Sequence, residues 1–292
     1  MVRLSIRHET IYTYERPVRF TAHRLLVRPR DSHATRVVDA HLTLSPPGET
    51  RWFYDALANS VCAFTPQGES RSLSIVSDLT IERFPASLMR RDVADPQTVT
   101  PIVYTRSDRA VLAPFSEPVT DDPDGRLLGW LRDQVGSPKE PALDFLLRLN
   151  RTIHTGFEYI ARDQGEAQDP GHTVAMGSGT CRDFAWLMVE ALRRLGYAAR
   201  FVTGYLYSPR LSGVRGASAT HAWCEVFLPE LGWTEFDPTN ALAESPDLIP
   251  VAVTRTPTEA APVSGAIFGD PGHSELRVHV DVRSAQSLPV AA

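Results

Sequence analysis

The polar and apolar positions change period twice along the chain. Val2, Leu4 and Ile6, then Thr10, Tyr12 and Tyr14, alternate with mostly polar neighbours. That period of two marks a half-buried strand. Similar runs follow at 20–27, 36–44, 51–55, 60–64 and 73–84, broken by Pro46-Pro47-Gly48 and Pro66-Gln67-Gly68. Short strands with regular turn signals predict an antiparallel β-sandwich over residues 1–90. Prolines at 96, 101, 114, 118 and 123 mark 91–124 as a connector. The pattern then becomes helical. Leu127, Leu128, Trp130 and Leu131 predict a short helix over 126–134. Pro141 opens a longer one, striped by Leu143, Leu146, Leu147, Leu149 and Ile153.

A loop is expected over 162–179, and a third helix after it. Phe184, Met188, Leu192 and Leu195 recur at helical spacing, with Leu187 and Ala191 beside them. Arg182, Glu190, Arg193 and Arg194 lie off that stripe. Thr180 and Asp183 read as an N-cap pair, and Gly196 as the stop. Strands are predicted over 198–207, 220–228 and 233–237, with a turn at 229–232. The region 125–245 is therefore a mixed helix-and-strand core, making the fold class α+β. Residues 246–292 form a Pro/Ala-rich extension ending in a strand at 275–282, which completes a sheet.

The chemistry follows from where three residues fall. Cys181 sits in the first turn of the third helix, where free N–H groups and the helix dipole favour an anion. Such a position favours the thiolate. His221 and Asp237 fall on adjacent antiparallel strands, opposite or diagonal to one another. The three supply a nucleophile, a base and a group that orients the base. A packed core cysteine is the plainer reading of Cys181 taken alone. His221 and Cys224 differ by three on a strand and point to opposite faces. No paired CxxC or HExxH spacing occurs, so no metal site is expected. Four further residues are candidates for touching substrate: Trp223 on the His221 face, Tyr159 upstream of the loop, Arg182 beside the nucleophile and His172 on the loop. Their plainer readings are core packing for Trp223 and solvated surface for Arg182 and His172. Asp183 reads as a cap.

GTCRDFAWLMVEALRRLGYAARFVTGYL and THAWCEVFLPELGWTEFDPTN, in that order and spacing, resemble the core of the transglutaminase-like superfamily. The resemblance is to the bacterial branch with a β-rich N-terminal domain. It implies a papain-like core, with Cys181, His221 and Asp237 at the catalytic positions and cysteine chemistry on acyl groups; it does not fix the substrate, for which a peptide or protein is expected, reacting through an acyl-thioester intermediate. Either water or an amine would resolve that intermediate, giving hydrolysis or transglutamination. A catalytically silent binding module of the same fold is the third reading. No cofactor is implied. Papain-like enzymes often carry a glutamine about six residues before the cysteine, and Ala175 stands here, so that oxyanion donor is missing. The Cys181 N–H is one expected donor.

Charge and cysteine usage narrow the setting. The chain of 292 residues carries a formal charge of −5, which gives no reason to expect nucleic acid or an anionic membrane. The arginines of the first forty residues read as a solvated sheet face. No apolar run approaches the roughly 18 residues of a membrane span, and no signal peptide is visible. Three widely spaced cysteines, Cys62, Cys181 and Cys224, suit a reducing, cytoplasmic compartment. None of this fixes an oligomeric state.

Overall fold

The computed structural model describes residues 1–84, 98–136, 139–162, 165–207, 215 and 220–285. The expected boundary near residue 90 and Pro96 of the connector lie outside the described residues. In chain order the first strands are β1 (Val2–Phe20), β2 (His23–Leu25), β3 (Thr35–Ser45), β4 (Gly48–Tyr54), β5 (Ser60–Pro66) and β6 (Glu69–Arg83). Then come α1 (Arg106–Ser116), α2 (Arg126–Gln134), α3 (Ala142–Gly156), β7 (Glu158–Tyr159), α4 (Pro170–Met176), β8 (Ser178–Gly179) and α5 (Cys181–Arg194). The remainder is β9 (Ala199–Leu206), β10 (His221–Leu228), β11 (Gly232–Asp237), β12 (Leu242–Ala243), β13 (Leu248–Thr254), β14 (Val263–Ser264), β15 (Ile267–Phe268) and β16 (Ser274–Ser284). The fold is α+β, an antiparallel β-sandwich followed by a papain-like core.

The sandwich has one sheet ordered β15-β1-β6-β3, with β16 also on β1, and a second ordered β14-β2-β5-β4. The alternation along β1 buries Leu4, Ile6, His8 and Thr10 on one face, as a period of two requires. The third sheet, β12-β11-β10-β9-β13, belongs to the core. Helix α5 packs on one of its faces, where Ala222, Cys224, Val226 and Leu228 meet Phe184, Leu187, Met188 and Ala191. On the other side, Tyr205, Ile249 and Val251 pack against Leu4, Ile6, Leu26 and Val61 of the sandwich. Polar clasps reinforce that seam. Asn59 Nδ2 donates to Val253 O at 2.8 Å, and Val253 N–H donates back to Asn59 Oδ1 at 2.9 Å. Arg83 donates to Leu248 O at 2.6 Å.

Three elements depart from the sequence expectation. The proline-marked connector contains α1, which tolerates Pro114 inside it and buries Leu112 and Phe115. The loop over 162–179 contains the short helix α4, capped by Asp169 with Pro170 in its first turn. The tail from 246 is shared between sheets: β13 lies beside β9, and β16 runs along β1. Helix α5 is also more deeply buried than its apolar stripe implies, because Glu190 and Arg193 are buried as well. Glu190 accepts from Val119 N, Thr120 N, Thr120 Oγ1, Arg193 and Arg194. Arg193 donates to Phe115 O, Ala199 O and Arg255 O. Among the described residues no helix is long and apolar enough to cross a membrane.

Candidate active site

Cys181 opens α5 and is 7% exposed. Its position is fixed from both sides. Ahead of it, β7 and β8 pair in parallel, with Glu158 N–H on Gly177 O at 2.8 Å and Ile160 N–H on Gly179 O at 2.9 Å. Behind it, the Asp183 carboxylate accepts from Thr180 N–H at 2.7 Å and from the Thr180 hydroxyl at 3.0 Å. Asp183 therefore caps, as its spacing suggests, but it also holds the rim. It accepts from Gln168 N–H at 2.6 Å and from Arg162 at 3.0 Å. A Cβ on Gly179 would stand 2.8 Å from Asp183 Cβ, so this turn closes only with glycine.

His221 begins β10, and Asp237 ends β11. Cys224 pairs with Phe236 in the ladder, so one step further Trp223 faces Asp237 and His221 reaches it diagonally. His221 Nε2 and Asp237 Oδ2 are 2.9 Å apart, and both side chains are fully buried. Three further donors reach the Asp237 carboxylate: Thr239 N–H at 2.9 Å, Asn240 N–H at 3.4 Å and Asn240 Nδ2 at 3.0 Å. Burial works against a charged carboxylate, yet His221 and these donors hold Asp237 below its ordinary range. Burial likewise works against an imidazolium. The Asp237 charge and hydrogen bond, with Cys181 adding to them, carry His221 up to about 10. Nδ1 of the ring is buried without a fixed partner and is the nitrogen left for the Cys181 thiol.

The ring also has a floor. Trp223 lies under His221 with ring centroids 6.1 Å apart and 30° between planes. Its Nε1–H donates to Glu235 at 3.3 Å. A Cβ on Gly204 would come within 2.7 Å of the indole and 2.1 Å of Ile249 O, so the sheet admits the tryptophan only over glycine.

The other candidates scatter. Trp223 is fully buried in a cluster with Val202, Leu248 and Val253, on the packing side of the ring. Arg182 donates to Arg162 O at 2.8 Å and Gly165 O at 2.9 Å, so it binds the rim. His172 is exposed on α4. Tyr159 is half-buried beside Gly179, edge-on to Phe184, with the Arg215 guanidinium 6.0 Å from its ring centre. Cys224 is fully buried against α5, on the face opposite His221, and burial pushes its thiol far up. Burial likewise raises Cys62, to about 11.

Asn240 is the member that sequence reasoning passed over. It holds Asp237 and also exchanges hydrogen bonds with the Arg215 backbone. The signal was available in the Asp-Pro-Thr-Asn run, since Asp and Asn readily form side-chain-to-backbone turns.

A buried histidine–carboxylate pair beside a cysteine in the first turn of a helix is the framework of a papain-like cysteine enzyme. Residues 4–82 match the bacterial transglutaminase-like N-terminal region, and residues 129–238 match the transglutaminase-like superfamily. The chain belongs to that superfamily, with the bacterial N-terminal region ahead of the core. A protein of Mycobacterium tuberculosis is 27% identical over 300 residues, covering 96% of this chain and 92% of the relative. One from Mycobacterium leprae is 26% identical over 289 residues, covering 97% and 99%. The crystal structure of a cysteine-protease candidate from Cytophaga hutchinsonii superposes with a TM-score of 0.72 at 21% identity, covering 99% of this chain and 92% of that one. At that identity the likeness speaks for the fold.

Proposed function

We propose that this protein is a cysteine-dependent acyl-transfer enzyme that cleaves peptide or side-chain amides, with water as the acceptor. The observation that carries the reading is the buried His221–Asp237 pair, whose remaining ring nitrogen is left for Cys181. Cys181 Sγ attacks the amide carbonyl, its proton having passed to His221. The imidazolium, held by Asp237, returns that proton to the departing amine as the C–N bond breaks. An acyl-thioester remains. His221 then takes a proton from water, the resulting hydroxide adds to the thioester carbonyl, and the acid leaves as the Cys181 thiol is restored.

Water is favoured over an amine by the rim. Arg182 and Asp183 tie residues 162, 165 and 168 to the first turn of α5, which narrows the approach on that side for a lysine of a second protein. The test is to trap the acyl-enzyme on Cys181, identify the acyl group by mass, and then let it partition between water and a labelled primary amine. Hydrolysis should dominate at millimolar amine. Predominant amine incorporation would replace this reading by a transglutaminase, and no acyl-enzyme with any amide substrate would favour a silent module.

A further inference from the structure

The sandwich carries a second feature that the acyl-transfer reading does not use. Strand β4 ends one sheet and β3 ends the other, and among the described residues each pairs on one side only, β4 with β5 and β3 with β6. Between these two edges the sheets part to leave a cleft of about 230 Å³. Leu42, Leu44 and Leu79 line one wall, Trp52 the other, and Arg28 and His41 are the ionisable groups in it. The Arg28 guanidinium lies 5.9 Å from the Trp52 ring centre. Among the described residues no carboxylate lines the cleft. All seven residues of β4 are exposed, among them Trp52 at 43%, Phe53 at 39% and Tyr54 at 71%.

Free strand edges template pairing with other chains, and proteins commonly blunt them with charge, proline or a cover. Here β4 carries one charge of each sign, Glu49 and Arg51, followed by three consecutive exposed aromatics. Grouped exposed apolar residues mark interaction sites. We propose that β4 is a docking edge for an extended acidic peptide segment of a partner protein, which adds as a strand beside β4. Its alternate side chains enter the cleft, apolar ones against Trp52 and Leu42 and a carboxylate toward Arg28. The backbone edge selects an extended polypeptide, because main-chain pairing supplies affinity and alternate side-chain pockets supply specificity. The unopposed Arg28 and His41 select acidic over basic sequence. The site is separate from Cys181 and does not depend on the acyl-transfer reading.

The experiment uses the 292-residue chain and a fluorescein-labelled, acetyl-capped heptapeptide, Leu-Thr-Glu-Thr-Leu-Thr-Glu, whose apolar and acidic side chains share one strand face, read by anisotropy. Saturable binding is expected. It should weaken by about tenfold or more with Trp52→Ala, and also with Arg28→Gln, while circular dichroism and the melting temperature of each variant stay as in the parent. Trp52→Phe is the milder variant should Trp52→Ala melt early. Two altered peptides probe the mode of binding: one with Lys in place of each Glu, the other N-methylated at alternate amides so that it cannot pair as a strand. Both should fail to bind. Equal binding of the Glu and Lys peptides, or of the N-methylated one, overturns the proposal. So does binding indifferent to Trp52→Ala. A chitin oligosaccharide bound where the peptide is not would reassign the aromatics to a sugar. Self-association abolished by Trp52→Ala, without peptide binding, would reassign the edge to a second copy of this chain.

Discussion

Helix α5 touches two buried ionic clusters, one at each end, and they are built differently. Toward its C-terminal end, Glu190 and Arg193 form a pair with both side chains fully buried, 3.1 Å apart, and Arg194 joins at 2.8 Å. Every face of that cluster is occupied, by the backbones of Val119, Thr120, Phe115, Ala199 and Arg255. At the other end, His221 and Asp237 are as deeply buried, and Asp237 is as fully bonded, yet Nδ1 of His221 has no fixed partner. Burying a charge is costly unless its partners are complete. A cluster that exists to hold segments together closes all its valences. The one at the N-terminus leaves one open, and it opens onto the only thiol of the three that is not wholly buried. Under the proposed function, that difference separates a girder from a reaction centre more sharply than burial or charge does.

The most severe way to break the comparison is to remove the group facing the open valence. Cys181→Ala should lower turnover by roughly 10⁴-fold or more with an unchanged fold, while Cys62→Ala and Cys224→Ala keep most activity. A folded Cys181→Ala protein that still turns over would end the mechanism. Asp237→Asn comes next. It keeps the shape and removes the charge, so the rate should fall by about 10² to 10⁴, as for loss of an orienting aspartate in serine enzymes. An unchanged rate would make Asp237 as structural as Glu190.

The other cluster supplies the opposite signature. Glu190→Gln leaves the buried guanidinium of Arg193 without its counter-charge, and removing one partner of a buried pair costs about 3 to 5 kcal/mol. Urea denaturation should show that loss, while kcat of the remaining folded protein stays close to the parent value. A drop in kcat without a drop in stability would contradict the division of roles between the two ends.

How far the sequence reveals these two clusters differs for a physical reason. Cys181, His221 and Asp237 were legible because each falls at a turn-bounded end of a periodic element, and β10 and β11 are joined by a short turn that fixes their register. The second cluster was not. Glu190 and Arg193 fall off the apolar stripe, and their partners come from segments some 70 residues earlier and 60 residues later, as the Thr120 and Arg255 bonds show. Periodicity reports only the element's own face. Helix α1 was hidden by Pro114 among other prolines, although its Thr105 cap, accepting from Asp108 N–H, is a local signal. Strand β13, LIPVAVT, is buried on both sides and does not alternate, so it reads as tail. Trp223 was placed on the correct face, but its depth depends on Gly204 of a different strand.

The smallest effect, and the finest test, is a shift along the pH axis. His221 stands at about 10, above its ordinary 6.5, because the Asp237 charge and hydrogen bond, with Cys181, outweigh burial. A group raised in this way contributes stability that is fully present below its ordinary value and is lost as the pH climbs through the raised one. Stability should therefore decline between about pH 6.5 and pH 10 in the parent protein. In the proposed mechanism the same imidazolium donates the proton to the leaving amine, so kcat/KM should hold through neutral pH and fall on an alkaline limb near 10. Asp237→Asn removes the charge and leaves the burial, which lowers an imidazole. Its alkaline limb should therefore move toward acid, and its stability should lose the decline seen in the parent. The Glu190→Gln variant should keep the parent limb, since its cluster does not touch the ring. If the limb stays in place in Asp237→Asn, then Asp237 does not hold the charge on His221. If it moves in Glu190→Gln as well, the two ends of α5 are electrically coupled and the contrast between them is weaker than the geometry implies.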